Sequence, residues 1–462
     1  MSTQHTLHQE IPAQARRLHF VGIGGISMSS LAAIAARQGY TVSGSDHHPS
    51  PLTAQLQQEG VRIVYGHLPE NVESADAVVY TAAIADDNPE LRRARDLGIP
   101  CLTRAAFMGE LMKGYPVRIG VAGTHGKSST TGMLSEIYLA GELNPTVVCG
   151  AQLPSLGGAY RIGGGCFLFE ACEYTDSFLS FYPSTAVVTN VDLDHTDYFH
   201  SLEQYIESFA RYLSLASVAV VDFDSPNARR AAADFAGKLI SYGIEAADAA
   251  YRPGNIVYQS GCASFDLLRR GENLGRIALS VPGEHNVGNA LAAAAAALEN
   301  EVPLPAVIEG LHRFGGASRR FEYKGSLHGA RIYDDYAHHP TEIRATLAAA
   351  KKLGGRIICL FQPHTRSRLT EFFDGFAHAF SDADAVGIVD VYENLEHEEL
   401  CSEHTSRELA ASIPGACYLP SLEALEDFAD ENARPGDTIL VMGAGSVTRA
   451  AEALAERGRM ES

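Results

Sequence analysis

The run Arg118-Ile-Gly-Val-Ala-Gly-Thr-His-Gly-Lys-Ser-Ser-Thr-Thr131 holds the residue types that cradle the phosphates of ATP. Val117 to Val121 is apolar and short, as a buried strand is, and a helix begins near Lys127. Gly123 and Gly126 let the backbone turn N–H groups towards anionic oxygens, and the helix adds its positive N-terminal end. Lys127 can reach the β- and γ-phosphates, and the Ser128 hydroxyl is placed to ligate Mg²⁺. The strict P-loop spacing asks for glycine where this chain has Val121, so the loop is a variant with His125 inside it. A second cradle follows the strand-like Leu18-His-Phe-Val21, with Gly22, Gly24 and Gly25 ahead of an Ala-rich helix. Ser27 replaces the third glycine of a dinucleotide fingerprint, and Asp46 stands where a carboxylate holds a ribose hydroxyl. Two such cradles call for two nucleotides, one of them ATP.

Acidic, histidine and arginine clusters occur where apolar strands end. Glu170-Ala-Cys-Glu-Tyr-Thr-Asp176 follows Phe167-Phe169; it suits Mg²⁺ on ATP, and a solvated acidic loop fits equally. Glu173 stands in reserve for Glu170 as the ligand. Thr189-Asn-Val-Asp-Leu-Asp-His-Thr-Asp-Tyr198 holds more Asp and His than a turn needs, and His195 can take a second divalent ion. In Arg319-Arg-Phe-Glu322 a guanidinium can reach a phosphate, with salt bridging to Glu322 as the alternative. Tyr333-Asp-Asp-Tyr-Ala-His-His-Pro-Thr-Glu-Ile343 and Gln362-Pro-His-Thr-Arg-Ser-Arg368 end neighbouring strands and form a polar rim.

These clusters are positioned by repeated strand–helix alternation. Strands are expected at 61–65, 77–80, 100–102, 167–169, 185–189, 218–221 and 238–242, in mostly parallel sheets. Residues 250–281 alternate as antiparallel strands do, and an Ala-rich helix spans 286–299. The last region is expected to run strand 330–333, helix 341–352, strand 356–361, helix 370–380, strand 386–391 and strand 438–442. Its closing Gly443-Ala-Gly-Ser446 is either a third cradle or, preferably, a tight strand–helix connection.

At 462 residues the chain calls for two to four domains, and 46% apolar with 20% charged residues is ordinary for a globular protein. A formal net charge of −20 argues against a nucleic-acid surface and leaves small phosphorylated substrates open. The eight cysteines show no C-x-x-C or metal-type spacing, so buried thiols in a reducing compartment are expected. The polar N-terminus and the absence of a run of about 18 apolar residues predict no membrane insertion and a cytoplasmic location.

The ordered motifs G-I-G-G-I-S-M-S, G-T-H-G-K-S-S-T-T, E-A-C-E, T-N-V-D-L-D-H, G-E-H-N, R-R-F-E, D-D-Y-A-H-H-P-T-E-I and Q-P-H-T-R-S-R resemble those of the Mur ligases of peptidoglycan synthesis. The resemblance spans roughly residues 18 to 446. It implies three α/β domains: a Rossmann-like UDP-sugar domain at 1–115, a central P-loop ATPase domain with a mostly parallel sheet at 116–317, and a Rossmann-like amino-acid domain at 318–462. The implied reaction uses ATP and Mg²⁺ to join L-alanine to UDP-N-acetylmuramate through an acyl phosphate, in a monomer or homodimer.

Carried over by position, Gly22, Gly24, Gly25, Ser27 and Met28 would hold the UDP pyrophosphate, with Asp46 near the uridine and Arg104 on the same substrate. Gly123, Thr124, His125, Gly126, Lys127, Ser128 and Ser129 would bind ATP, with His285 and Asn286 at adenine, Arg320 at the phosphates and Asp335 at the ribose. Ser128 and Glu170 would ligate Mg²⁺ and His195 a second Mg²⁺, and Tyr336, His338 and Arg368 would line the amino-acid pocket. Related ligases often carry Arg directly after the Pro-His, where this chain has Thr365. There is no lysine between Lys127 and Lys238, so the carbamylated lysine of several relatives is not expected. Rival readings are a sister ligase that attaches a recycled tripeptide and, on the Gly22 loop alone, an NAD-dependent oxidoreductase.

Overall fold

The computed structural model describes residues 10–81, 84–392 and 404–461. It contains three sheets, each with helices packed against it. The first has five parallel strands in the order Arg62–Tyr65, Thr41–Asp46, Arg17–Val21, Ala77–Tyr80 and Cys101–Thr103. The chain reverses direction across the sheet beside Arg17–Val21, the place where doubly wound sheets open a crevice for ligands.

Ten strands form the second sheet. Its parallel centre runs Val218–Asp222, Thr185–Val188, Arg118–Ala122, Phe167–Glu170 and Thr146–Leu153. Every residue of Thr185–Val188 is buried, as a strand covered on both faces requires. One end continues through Lys238–Tyr242 into the antiparallel strands Tyr251–Gln259, Cys262–Arg269 and Glu272–Pro282, matching the expected alternation. The helix Lys127–Ala140 packs against His285–Glu299, whose Ala292 to Ala297 are fully buried. Their methyl-sized side chains let the two helix backbones come close.

The third sheet runs Glu322–Leu327, Ala330–Asp335, Thr438–Met442, Ile357–Phe361, Ala385–Ile388 and Ala416–Tyr418, parallel except for the first pair. Ile357–Phe361 and Thr438–Met442 are buried along their whole length.

Two features depart from the sequence expectation. The helix expected at 370–380 is two short helices, Arg366–Glu371 and Phe373–Ala377, broken at Phe372. The break lets Leu369 and Phe376 both enter the core, and Thr365 caps the first piece by accepting from Arg368 N. The antiparallel pair Thr146–Leu153 and Gly158–Arg161 was not anticipated. Its turn closes on Gly157 at φ +65, and glycines on both sides hide the alternation.

The closing turn after Thr438–Met442 is a tight connection. Gly443 has φ +144, a side chain there would lie 2.6 Å from Gln362 O, and the turn's carbonyls accept hydrogen bonds from Arg319. No helix among the described residues is long and apolar enough to cross a membrane, and no two described cysteines are joined in a disulfide. Residues 1–9, part of the polar N-terminus, lie outside the described residues.

Candidate active site

Arg118–Ala122 lies at the middle of the central sheet, so its C-terminal end opens between two parallel neighbours. The loop that follows needs its glycines. Gly123 has φ +137, and a Cβ there would lie 2.0 Å from Thr189 Oγ1. Gly126 has φ +85, and a Cβ would meet Asn289 Oδ1 at 2.4 Å. The strand end Thr189-Asn190 clamps the loop: His125 N donates to Asn190 Oδ1 at 2.8 Å, and Asn190 Nδ2 donates to His125 O at 3.0 Å. Thr124 Oγ1 donates to Asp192 O at 2.8 Å and accepts from Asp192 N at 2.9 Å. The result is a fixed nest of N–H groups at the start of the helix Lys127–Ala140, with Ser128 buried in its first turn.

Lys127 Nζ folds back over this nest and donates to Thr124 O at 3.1 Å and to Glu173 Oε1 at 3.0 Å. Burial opposes the charge of both partners. Their mutual attraction prevails, raising the Lys127 pKa and holding the Glu173 carboxyl below its ordinary range. His195 Nε2 lies 3.6 Å from the same Glu173 oxygen, and Tyr205 OH donates to it at 3.4 Å. The other oxygen, Glu173 Oε2, is buried without a hydrogen-bond partner. His195 adopts a left-handed backbone (φ +52), a conformation a non-glycine residue holds only when its surroundings impose it.

Glu170 ends its strand and faces sideways, with Oε1 accepting from Gly150 N at 2.8 Å and from the Cys149 thiol at 3.0 Å. Of the two carboxylates, Glu173 is therefore the one beside Lys127 and His195. Among the described residues no group of three or more His, Cys, Asp or Glu side chains is disposed to hold a metal ion unaided. The orphaned oxygen of Glu173, the carboxylate that also meets Lys127 and His195, fits a water-rich Mg²⁺ completed by phosphate oxygens.

A cavity of about 830 Å³ opens from this loop towards the third sheet, lined by His125, Ser128, Asn190, His285, Arg320 and Asp335 among others. Arg320 faces it, with its guanidinium 5.0 Å from the Tyr336 ring and 3.7 Å from Glu342 Oε1. Arg319, its twin, turns away into the Gly443 turn. His285 is exposed on the cavity wall, where the surrounding protein displaces part of its hydration and, with nearby Arg320, lowers its pKa to about 4. Asn286 donates to Pro282 O at 2.7 Å and accepts from Asn289 at 3.0 Å, so it is held rigidly. Burial raises the Asp335 pKa to about 6, while its oxygens accept from Phe321 N, Ala337 N and Thr346 Oγ1.

Glu342 joins the two lobes. Its Oε1 lies 3.1 Å from His125 Nδ1 in the phosphate loop, and its Oε2 accepts from His338 N at 3.1 Å. Burial would raise its pKa, yet the hydrogen bond with His125 and the charge of Arg320 hold it well below the ordinary value. His338 is itself buried, which lowers its pKa to about 3 and leaves it neutral. Tyr336, His338 and His364 lie beside one another at the rim. Arg368, reaching across from the third sheet, donates twice to Asp194 of the central lobe.

At the first sheet, Gly22 turns with φ +79, and Gly22 N and Ile23 N both donate to Ser45 O. Gly24 N donates to Asp46 Oδ2 at 2.7 Å, and the N–H groups of Gly25 and Ser27 begin the helix Ile26–Arg37. Met28 points into the hydrophobic core at 2% exposure, leaving its backbone for any ligand contact. Arg104 starts its own helix half-buried, beside Cys172 and without a hydrogen bond or ion pair to any described residue. A desolvated, unpartnered guanidinium of this kind suits an anionic ligand. Ser129 follows Ser128 in the helix on the wall of the cavity.

Sequence reasoning passed over Asp194, Asn289, Tyr205 and Glu342 as individual site residues. Glu342 stood within the quoted D-D-Y-A-H-H-P-T-E-I run, and its place in a first helical turn after Pro340 was the available signal. Asn289, one turn after Asn286 on the helix face towards Gly126, was open to the same argument from spacing.

Three family models cover most of the chain. Residues 17–116 match the Mur ligase family catalytic domain, 121–297 the Mur ligase middle domain and 319–445 the Mur ligase glutamate ligase domain. A UDP-N-acetylmuramate–L-alanine ligase of Acetivibrio thermocellus is 42% identical, covering 96% of this chain and 96% of that protein. One of the same name from Agathobacter rectalis is 43% identical, covering 95% and 98%. Among solved structures, the UDP-N-acetylmuramate–alanine ligase of Thermotoga maritima superposes with a TM-score of 0.81 at 28% identity, covering 96% of this chain and all of that one. A murein peptide ligase of Psychrobacter arcticus, at a TM-score of 0.70 and 24% identity over 96% and 98%, shares the fold.

Proposed function

The chain belongs to the Mur ligase family, and from that premise we propose how it joins L-alanine to the carboxylate of UDP-N-acetylmuramate at the expense of ATP. The observation that carries the reading is the convergence of Lys127, Glu173 and His195 at one strand-end crevice, beneath a lobe that brings Arg320 and Arg368. It has a location to match: two soluble nucleotides and a free amino acid suit a cytoplasmic enzyme. The domain division that fits is 1–115 for the UDP-sugar, 116–317 for ATP and 318–462 for the amino acid.

A free carboxylate is a poor electrophile, so the reaction begins with its oxygen attacking the γ-phosphorus of ATP. ADP leaves, and an acyl phosphate remains. The neutral amine of alanine then attacks the acyl carbon and phosphate departs. Little covalent work falls to the protein; it orients the reactants and neutralises charge. Lys127 moves from Glu173 onto the phosphate oxygens, and the N–H groups of Gly126, Lys127 and Ser128 at the helix start hold the β-phosphate. Arg320 stabilises the transferring group from the other lobe. Arg104 meets the muramyl portion of the sugar nucleotide, since it is a bare cation beside Cys172 and hence near the Glu173 turn. Glu173, His195 and Ser128 would hold Mg²⁺, which when bound neutralises phosphate charge; Glu170 remains the alternative carboxylate. Tyr336 and His338 shape the alanine pocket, and Arg368 receives its carboxylate. His338 stays neutral and so does not repel an incoming amine.

The test is phosphate release with UDP-N-acetylmuramate against a panel of amino acids, with product mass. Alanine should be the best substrate and the product should gain one alanine residue. Preference for a tripeptide, or an NAD-linked absorbance change without phosphate release, would displace this assignment.

A further inference from the structure

Behind the Gly22 turn lies a buried charge that no step above uses. Glu90 is fully buried in the first turn of the helix Pro89–Asp96. Its Oε2 accepts from Ser45 Oγ at 2.6 Å and lies 2.7 Å from His67 Nδ1. Its Oε1 accepts from Asn71 Nδ2 at 2.6 Å and lies 3.4 Å from His19 Nε2. His19 Nδ1 is in turn 2.9 Å from Ser43 Oγ. One carboxylate thus ties together two strands, the segment after a third, and a helix. Burial alone would push its pKa up, but His19, Ser45, Asn71 and His67 hold it below the ordinary value, so it stays ionised.

A folded domain gains little from a buried charge that an apolar side chain would not supply. What this charge does locally is hold Ser45. The carbonyl of that residue accepts from Gly22 N at 2.9 Å and from Ile23 N at 3.0 Å, and the next residue, Asp46, accepts from Gly24 N. Ser45 is therefore gripped by Glu90 through its side chain while it grips the glycine turn through its backbone.

We infer that Glu90 is a positioning residue for the sugar nucleotide, fixing Ser45 and through it the shape of the Gly22–Gly25 turn, which sets the N–H groups at the start of the helix Ile26–Arg37 towards the pyrophosphate. The inference rests on the assignment of this turn to UDP-N-acetylmuramate. Loss of the carboxylate would let Ser45 shift by a few tenths of an ångström, enough to spoil a set of backbone donors that act together.

The experiment compares Glu90→Gln, Ser45→Ala and Gly24→Ala in the full-length protein. It measures UDP-N-acetylmuramate binding by calorimetry, KM for all three substrates, kcat and thermal unfolding. Glu90→Gln and Ser45→Ala should each weaken UDP-sugar binding by about tenfold, with ATP and alanine KM and kcat within about twofold. Their double variant should be no worse than either, since both cut one link. Gly24→Ala, whose Cβ would lie 2.8 Å from Asp46 Oδ2, tests the turn itself and should bind far more weakly. Normal UDP-sugar binding by Glu90→Gln or Ser45→Ala, beside a defective Gly24→Ala, overturns the role of Glu90 and leaves the turn's assignment standing. Normal binding by all three overturns both. Equal rises in all three KM values that track a lower Tm would reduce Glu90 to a structural residue. If Glu90→Gln does not fold, Ser45→Ala decides alone.

Discussion

Arg368 and Asp194 form a buried ion pair across the two lobes of the catalytic crevice, with Nη2 at 2.7 Å and Nε at 3.1 Å from Asp194 Oδ1. The side chains are 9% and 8% exposed, so the pair is shielded from water and salt. Burial works against the Asp194 charge, yet Arg368 holds the carboxyl well below its ordinary range. A carboxylate on this guanidinium is the same chemistry an amino acid brings to the site. Arg368→Lys keeps the charge and loses the planar fork. Alanine KM should rise at least about tenfold, while ATP and UDP-sugar KM stay within about twofold. Steady-state kinetics with each substrate varied in turn check this. An unchanged alanine KM would move the carboxylate site, with Arg366 the first place to look.

Lys127 is held by Glu173 and the loop carbonyls, a position from which, on the proposed mechanism, it would swing to phosphate oxygens without leaving the crevice. Lys127→Ala should cut turnover at least about a hundredfold, as losing a strong transition-state contact does. UDP-sugar affinity, measured by calorimetry, should survive because it depends on the Gly22 turn. A variant that lost UDP-sugar affinity and kept ATP turnover would mean the two nucleotide sites are exchanged.

Strands bounded by polar or glycine residues were legible to the residue: Ala77–Tyr80, Lys238–Tyr242 and Thr438–Met442 begin and end where the apolar runs do. The phosphate loop was legible because only glycine tolerates the positions of Gly123 and Gly126. The choice between Glu170 and Glu173 was not, because both follow the same strand. A short irregular turn sends the second back beneath Lys127 while the first faces Gly150. Asp194 and Glu342 acquire their roles from partners 174 and 217 residues away, and spacing along one chain carries no trace of that. The Glu90 cluster draws on Ser45, His67, Asn71 and His19, each unremarked in its own segment.

The metal assignment separates the two glutamates. Glu173→Ala and His195→Ala should each raise the Mg²⁺ concentration for half-maximal activity several-fold, about threefold to tenfold, because each removes one ligand from a weakly held ion. Glu170→Ala should do less, its carboxylate being engaged with Gly150 N and Cys149. Magnesium titrations at saturating ATP, paired with Mn²⁺ binding by electron paramagnetic resonance, make the comparison. A larger effect at Glu170 than at Glu173 would restore Glu170 as the ligand, and an unchanged His195 variant would take His195 off the metal.

Acid should unfold this protein through its histidines before its carboxylates. Loss of hydration against the surrounding protein lowers the pKa of His338 to about 3 and those of His285, His339 and His364 to about 4, from 6.5 in the unfolded chain. Below 6.5 the unfolded chain therefore takes up protons that the folded one refuses. Stability from these groups is full above that pH and falls continuously towards pH 4. Asp335 and Asp222 act in the opposite sense, since burial raises them to about 6 and about 7. Four histidines, each shifted by at least two units, outweigh two aspartates, so the net slope is a loss on acidification. Below the ordinary carboxylate range, protonation of the depressed Asp194 and Glu342 adds a second loss and undoes these two links between the lobes. Thermal unfolding between pH 7.5 and 4.5 should show Tm falling steadily. His339→Asn keeps an N-cap on the helix Pro340–Lys351 and removes one titrating ring, so its Tm should fall less steeply. A Tm that held level or rose on acidification would mean these rings are not neutral in the folded protein.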